Sequence, residues 1–320
     1  MKIRELWHVS PFESEIREAD YDPGSPNLAL IKSMYSLVST ATERIVAKGR
    51  VPDTLKEIMK VPYMGGDFDF PVKYGYSLIG KVIRGPSSLT GKTVHLMHPH
   101  QDYAFADESS LVVVPETIPA QRAVLASNLE TALNAIWESN ISLGDHVIIC
   151  GFGLIGALIA ILARQITSTR IVIHEIDKKR KELAIGMGFE TYDPKLSHAF
   201  DLAFNASASG EALQLCIETT LPQSRIVEVS WYASDPVTIR LGGSFHTGQK
   251  QIVSSQVSTI PANRQSHFDK FRRKQVVLDL LRNSIFDQIP LHQTEFDQLP
   301  GLFTQLRDQT YTHFATLVKY

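Results

Sequence analysis

The sequence predicts an α/β protein in two parts: a β-rich region built from both ends of the chain, and a central doubly wound parallel sheet. Three observations carry this expectation. Residues 1–125 are rich in short apolar runs broken by Gly and Pro, whereas 147–257 alternate β-type runs with helical patterns. In the third, Val147–Cys150 feeds the turn Gly151-Phe-Gly-Leu-Ile-Gly156 directly into an apolar helix. A chain of 320 residues is long for one hydrophobic core. The expected division is a central domain at 126–258 and a second domain from 1–125 plus 259–320.

Composition narrows the class. Hydrophobic residues make up 43% and charged residues 21%, ordinary for a soluble globular protein. A formal net charge of −2 gives no electrostatic reason for a nucleic-acid or membrane partner. The opening MKIRELWHVSPFESEIRE has no apolar core of signal-peptide length, and no apolar run reaches the roughly 18 residues of a membrane span, so a cytoplasmic protein is expected. The only cysteines, Cys150 and Cys216, read as buried thiols in a reduced cytosol, and a four-cysteine zinc site is excluded by count.

In chain order, 1–7 reads as a strand, Asp22-Pro-Gly-Ser-Pro26 as a turn, and 28–39 as a strand followed by a short helix or turn at 43–48. Residues 70–83 read as a strand system bent by glycines, 86–90 as a turn, 93–97 as a strand, 98–102 as a loop and 111–114 as a strand. Helical spacing takes over at 121–140. Strands then follow at Val147–Cys150, 170–174, 202–205, 226–231 and 252–257, with helices at 154–165, 178–187 and 211–220 between the earlier ones. A basic helix at 268–282 comes next, with Lys270, Arg272, Arg273 and Lys274 read as a solvated face. A last strand near 312–318 would rejoin the first domain.

The glycine turn has the pattern of a Rossmann dinucleotide site. Gly151 permits the tight turn, Gly153 lets backbone approach pyrophosphate, and Gly156 permits close helix–strand packing. Leu154 and Ile155 open the helix, whose free N–H groups and dipole favour a phosphate. Glu175 ends the next strand, 19 residues beyond Gly156, where a carboxylate binds ribose hydroxyls and repels a 2′-phosphate. NAD(H) is therefore expected over NADP(H), with Lys178, Lys179 and Arg180 near enough to accommodate the extra phosphate. Ala206, Ser230, Ser254 and Ser255, by the later strands, are counted with the cofactor site.

The chain resembles the medium-chain dehydrogenase/reductase superfamily, the zinc-type alcohol dehydrogenase fold, over nearly its full length. Within it the chain is similar to the bacteriochlorophyllide a dehydrogenase-like branch, through Thr42-Glu43 after Tyr35-Ser-Leu-Val-Ser39, PVKYGY at 71–76, HPHQD at 98–102, NLETALNA at 128–135 and VSSQV at 253–257. The resemblance implies a GroES-like catalytic domain made from both chain ends, an inserted Rossmann domain, a substrate cleft between the two, and a homodimer. It also implies zinc ligands that this chain lacks. Relatives place a cysteine near Thr40, a His-Glu pair at Tyr76-Ser77 and another ligand near Ser127 or Asn128, yet no cysteine precedes Cys150. A thiolate-containing zinc site of the usual kind cannot form.

Without that metal, charge on the reacting oxygen needs hydrogen-bond donors or another cation. Tyr76 replaces a ligand and is a candidate proton donor; the alternative is a tyrosine that plugs the lost metal site. Thr42 matches a proton-relaying hydroxyl, or else caps the next turn with Glu43 tied to the scaffold. Glu130 is either a carboxylate near the nicotinamide or a helix-terminal residue. His100, oriented by Asp102, is a candidate acid/base. Alternatively His98, His100 and Asp102 bind a metal. The expectation is a zinc-independent oxidoreductase moving hydride between NAD(H) and an alcohol/carbonyl small molecule. A metal-dependent dehydrogenase and a non-catalytic nucleotide sensor stand as alternatives.

Overall fold

The computed structural model describes residues 1–21, 28–166, 170–195 and 199–320. The turn expected at 22–26 lies outside the described residues. The chain divides into two compact units. One comprises Met1–Ser127, Leu278–Asn283 and Pro290–Tyr320; the other comprises Asn128–Val277 and Ser284–Ile289.

The first unit is built on β-sheet. Ala29–Val38 pairs antiparallel with Leu78–Arg84 on one side and with the final strand, Ala315–Lys319, on the other, so the chain's end does rejoin its beginning. Leu291–Glu295 runs parallel to that final strand at the sheet's edge. A smaller sheet holds Lys2–Ser10, Glu13–Asp20, Val72–Lys73 and Gly65–Gly66. Leu6, Val38, Ala47, Phe296, Leu299, Phe303 and Val318 form one shared core that closes this unit around helices Thr40–Ala47 and Leu299–Arg307. Burial of such side chains removes apolar surface from water and is the main stabilising term.

The second unit is a six-stranded sheet, parallel throughout, in the spatial order Glu190–Thr191, Ile171–His174, Val147–Cys150, Phe200–Asn205, Thr220–Glu228, Gln251–Ser254. Numbered from the first of these strands along the chain, the order is 3-2-1-4-5-6, the doubly wound arrangement that binds dinucleotides. Every residue of Val147–Cys150 is fully buried, as expected of a strand covered on both faces. Helix Leu154–Ile166 buries Gly156 through Ala163 without a break, which explains its nearly continuous apolar sequence.

Two strands of this sheet end earlier than expected. The strand expected at 226–231 starts at Thr220 and stops at Glu228, because the Glu228 carboxylate accepts from Ser230 N at 2.8 Å and curls the chain out of the sheet. The strand expected at 252–257 is Gln251–Ser254, and Ser255 N makes a closing bond to Glu228 O. Residues 259–277 stay with the second unit rather than the first. Asn263 Nδ2 donates to Trp137 O, and Phe268 packs its ring on Trp137, fastening this stretch to helix Ala126–Ser139.

The basic helix, Lys270–Leu280, corrects the expectation of a solvated face. Lys270 and Arg272 are exposed, but Arg273 and Lys274 are buried. They fall on the same helical stripe as Val277, Leu278 and Leu281. Among the described residues no helix is long and apolar enough to cross a membrane.

Candidate active site

The glycine turn leaves strand Val147–Cys150 with Gly151 N bonded to His174 O at 2.8 Å. Gly151 has φ +93°, and an added Cβ would lie 2.8 Å from Ser207 Cα and 2.9 Å from the Ala206 carbonyl. A Cβ on Gly156 would stand 1.9 Å from Gly151 O. Gly153 differs: a Cβ there meets only Arg180 Nη1, at 3.6 Å. Two glycines are required by packing, then, and the third keeps backbone bare beside open space under a guanidinium. The first N–H groups of helix Leu154–Ile166 have no partner within their own helix, so the turn offers an anion site. These residues fit a pyrophosphate.

Glu175 is fixed beside this turn. Its Oε2 accepts from Phe152 N at 2.7 Å and its Oε1 from Asp177 N at 2.9 Å. Asp177 in turn caps helix Lys178–Gly186 by accepting from Arg180 N. The carboxylate thus links the glycine turn to the end of the neighbouring strand.

The other expected cofactor residues line up along the same edge. The register pairs His174 with Cys150, Cys150 with Asn205, Asn205 with Glu228 and Glu228 with Ser254, so five strands end in a row. Ala206 follows Asn205 and donates from its N to Cys150 O. Ser230 Oγ accepts from Ala208 N at 2.9 Å and donates to Asn205 O. Ser254 closes the last strand, and Ser255 Oγ takes a 3.4 Å bond from Asn134 Nδ2. A group the sequence reading missed stands in mid-row. Asn205 Nδ2 donates to Glu228 Oε2 and Tyr232 Oη, and Tyr232 Oη donates to Glu228 Oε2 at 3.0 Å. Burial and the Glu228 charge push the Tyr232 phenol well above its usual range.

In the first unit, Tyr76 is half-buried and follows Gly75 into strand Leu78–Arg84. Its phenol is pushed up to about 12, first by burial and then by the Glu43 charge, while hydrogen bonds from Ser39 and Thr42 oppose the shift. Such a phenol stays protonated at neutral pH and is a donor rather than a base. Thr42 lies in the first turn of helix Thr40–Ala47, where Glu43 Oε1 accepts from Ser39 N at 2.7 Å.

The histidine loop is not arranged as expected. His100 is fully buried; its Nε2 meets Glu43 Oε2 at 2.8 Å and its Nδ1 meets Ser36 Oγ at 2.7 Å. Ser36 Oγ continues to Tyr320 Oη at 2.8 Å. Asp102 does not orient His100. It accepts from Arg4 N, and burial raises its carboxyl above the usual range. His98 turns to Pro99 O and stacks on Tyr63, and burial depresses its imidazole to about 3. The three side chains that the metal alternative needs to converge therefore diverge, and among the described residues no three His, Cys, Asp or Glu side chains gather as a metal set.

At two of the positions where the resemblance implies zinc ligands, 77 and 127, the hydroxyls are already committed to protein carbonyls. Ser77 Oγ donates to Val124 O at 2.6 Å and Ser127 Oγ to Tyr76 O at 2.8 Å. His95, another residue the sequence reading missed, is buried with Nε2 3.1 Å from Ser127 Oγ. Neutral hydroxyls engaged as donors are poor zinc ligands, and the only two thiols belong to the other unit. This donor set does not fit a zinc ion of the relatives' kind. Glu130, the remaining catalytic candidate, is buried in the second unit between Arg273 and Lys274.

No family model matches the chain. Among curated proteins it is 21% identical over 175 residues to an uncharacterised zinc-type alcohol dehydrogenase-like protein of Escherichia coli (strain K12), covering 50% of this chain and 49% of that protein. It is 28% identical over 142 residues to (R,R)-butanediol dehydrogenase of Neisseria gonorrhoeae, covering 40% of each. The matches thus span about half, or less, of these relatives' lengths. Solved structures agree over the whole chain. L-idonate 5-dehydrogenase of Escherichia coli superposes with TM-score 0.80 at 15% identity, covering 100% of this chain and 99% of the other. A short chain alcohol dehydrogenase of Escherichia coli CFT073 complexed with NADH gives TM-score 0.78 at 15% identity, and Staphylococcus aureus TarJ in complex with NADPH gives 0.74 at 17%; each covers 100% of this chain and 99% of the other. The chain thus shares the fold of these solved structures over its whole length.

Proposed function

We propose that this chain is a zinc-independent oxidoreductase that binds NAD(H) along the carboxyl ends of its parallel strands and interconverts an alcohol and a carbonyl. The observation that carries the reading is the glycine turn. Gly151 and Gly156 have no room for a side chain, while Gly153 lies bare at the amino end of a helix beside a fixed carboxylate. Dehydrogenases among the relatives and neighbours, two of the latter with bound nicotinamide cofactors, support it.

When bound, the nicotinamide cofactor supplies or accepts hydride at the substrate carbon. The chain's own work is binding and proton handling. The glycine turn and Arg180 hold pyrophosphate, and Glu175 takes the adenosine ribose hydroxyls. Tyr76 is the proposed proton donor. Ser39 and Thr42 donate to its oxygen, which leaves the phenol's own proton for a substrate oxygen. Glu43 and His100 are positioning residues: the buried Glu43–His100–Ser36 chain fixes the helix that carries Thr42. The protonated phenol suits carbonyl reduction, where the developing alkoxide needs a proton.

Fluorescence titration with NADH and NADPH tests the cofactor assignment. NADH should bind at least about tenfold more tightly, a difference of about 1.4 kcal/mol. Glu175→Ala should erase the preference. Tighter NADPH binding by the unmutated chain would show that Arg180 and its basic neighbours set the choice. Stoichiometric zinc that is essential for turnover would overturn the zinc-independent part.

A further inference from the structure

Helix Lys270–Leu280 buries two cations against one carboxylate. Arg273 Nε lies 3.2 Å from Glu130 Oε1, and Lys274 Nζ is in ion contact with Glu130 Oε2. Side-chain exposures are 4% for Arg273, 9% for Lys274 and 7% for Glu130. The cluster therefore holds one surplus positive charge out of water, a costly arrangement unless an anion joins it. The two cations are not equally satisfied. Arg273 Nη1 also donates to Asn134 Oδ1 at 2.9 Å. Lys274 Nζ has three N–H groups, yet among the described residues Glu130 Oε2 is the one acceptor it meets. Burial draws its amine below the usual lysine range, with Glu130 opposing.

The place of the cluster says what kind of anion is missing. Asn134 Nδ2 donates to Ser255 Oγ at 3.4 Å and to Gln256 O at 3.3 Å, immediately beyond strand Gln251–Ser254. That strand is three places along the sheet from the one bearing the glycine turn, a separation of about 14 Å at ordinary strand spacing. The pyrophosphate held at the turn does not reach so far. Glu175 marks the adenosine side, so this opposite side takes the nicotinamide, which carries no negative charge. The remaining source of an anion is the substrate.

We propose that Lys274, braced by Glu130 and Arg273, forms an anion subsite for a carboxylate or phosphate group on the substrate, so that the enzyme acts on anionic alcohol/carbonyl pairs. The proposal rests on the reading that a dinucleotide lies along this edge.

The test uses the full chain at pH 7 and constant ionic strength, with and without NADH. Acetate, inorganic phosphate and neutral acetamide are titrated while the thermal midpoint and NADH fluorescence are followed. One or both anions should raise the midpoint saturably and acetamide should not; the tighter anion identifies the class. Lys274→Met should weaken that anion at least tenfold. The same variant should melt higher than the unmutated chain in anion-free buffer, because it leaves a neutral Glu130–Arg273 pair. Lys274→Arg should retain the anion response. An anion response unchanged in Lys274→Met, or no response to either anion, overturns the subsite. Failure to bind NADH would overturn the cofactor reading instead, since the anion titration is read separately.

Discussion

Gly153 and Gly156 are two glycines of one turn under opposite constraints, and substitution separates them. A methyl group on Gly156 would collide with Gly151 O, so Gly156→Ala should move backbone and cost about 2–3 kcal/mol or more in denaturant unfolding. A methyl group on Gly153 meets only the end of Arg180, so Gly153→Ala should change stability by no more than about 0.5 kcal/mol. It should still weaken NADH at least about tenfold, because the added carbon fills the space where pyrophosphate approaches. Equal NADH affinity in Gly153→Ala and the unmutated chain would remove pyrophosphate from this turn. The glycines were legible in the sequence because their spacing is local. The partner of His100 was not: Glu43 stands 57 residues away and is brought to it only by tertiary folding. Asp102, two residues from His100, looked the better partner only because it was near in sequence.

At the scale of the element, helix Lys270–Leu280 shows how a run of like charges misleads. Four basic residues in five positions suggest a wet face, but a helix distributes neighbours around its circumference. Counting three and four residues back from Val277 and Leu278 reaches Arg273 and Lys274, so the apolar stripe already marked them as inward. What no local pattern could show was their counter-charge, Glu130, on helix Ala126–Ser139. Removing it tests the pairing. Glu130→Gln leaves two buried cations with no carboxylate and should destabilise the chain by about 3–5 kcal/mol at pH 7. The loss should lessen toward high pH, where Lys274 sheds its proton and Arg273 remains. A variant as stable as the parent in urea at pH 7 would mean that the cluster is hydrated rather than buried.

Across the whole molecule, buried neutral histidines set a pH limit that neither the net charge of −2 nor the isoelectric point of about 6.6 discloses. His8 is depressed to about 3 by burial and by the Arg307 charge, and sits against Ser14 and Phe303. His98 is depressed to about 3, chiefly by burial. Unfolding restores both to an ordinary imidazole value of about 6.5, so below that pH the unfolded chain binds protons that the folded one refuses. Their contribution is complete above pH 6.5 and is lost as pH falls toward 3. Each should cost about 1.4 kcal/mol per pH unit once well below 6.5, or roughly 4 kcal/mol for the pair between pH 7 and pH 5. His174, lowered mainly by burial in the other unit, adds a smaller share in the same direction. The measurement is the urea midpoint at pH 7, 6 and 5, with His8→Gln and His98→Gln beside the unmutated chain. Each variant should lose close to half of the slope against pH, whatever its absolute stability. A flat profile in the unmutated chain, or a slope untouched by both substitutions, would show that these imidazoles take up protons without unfolding.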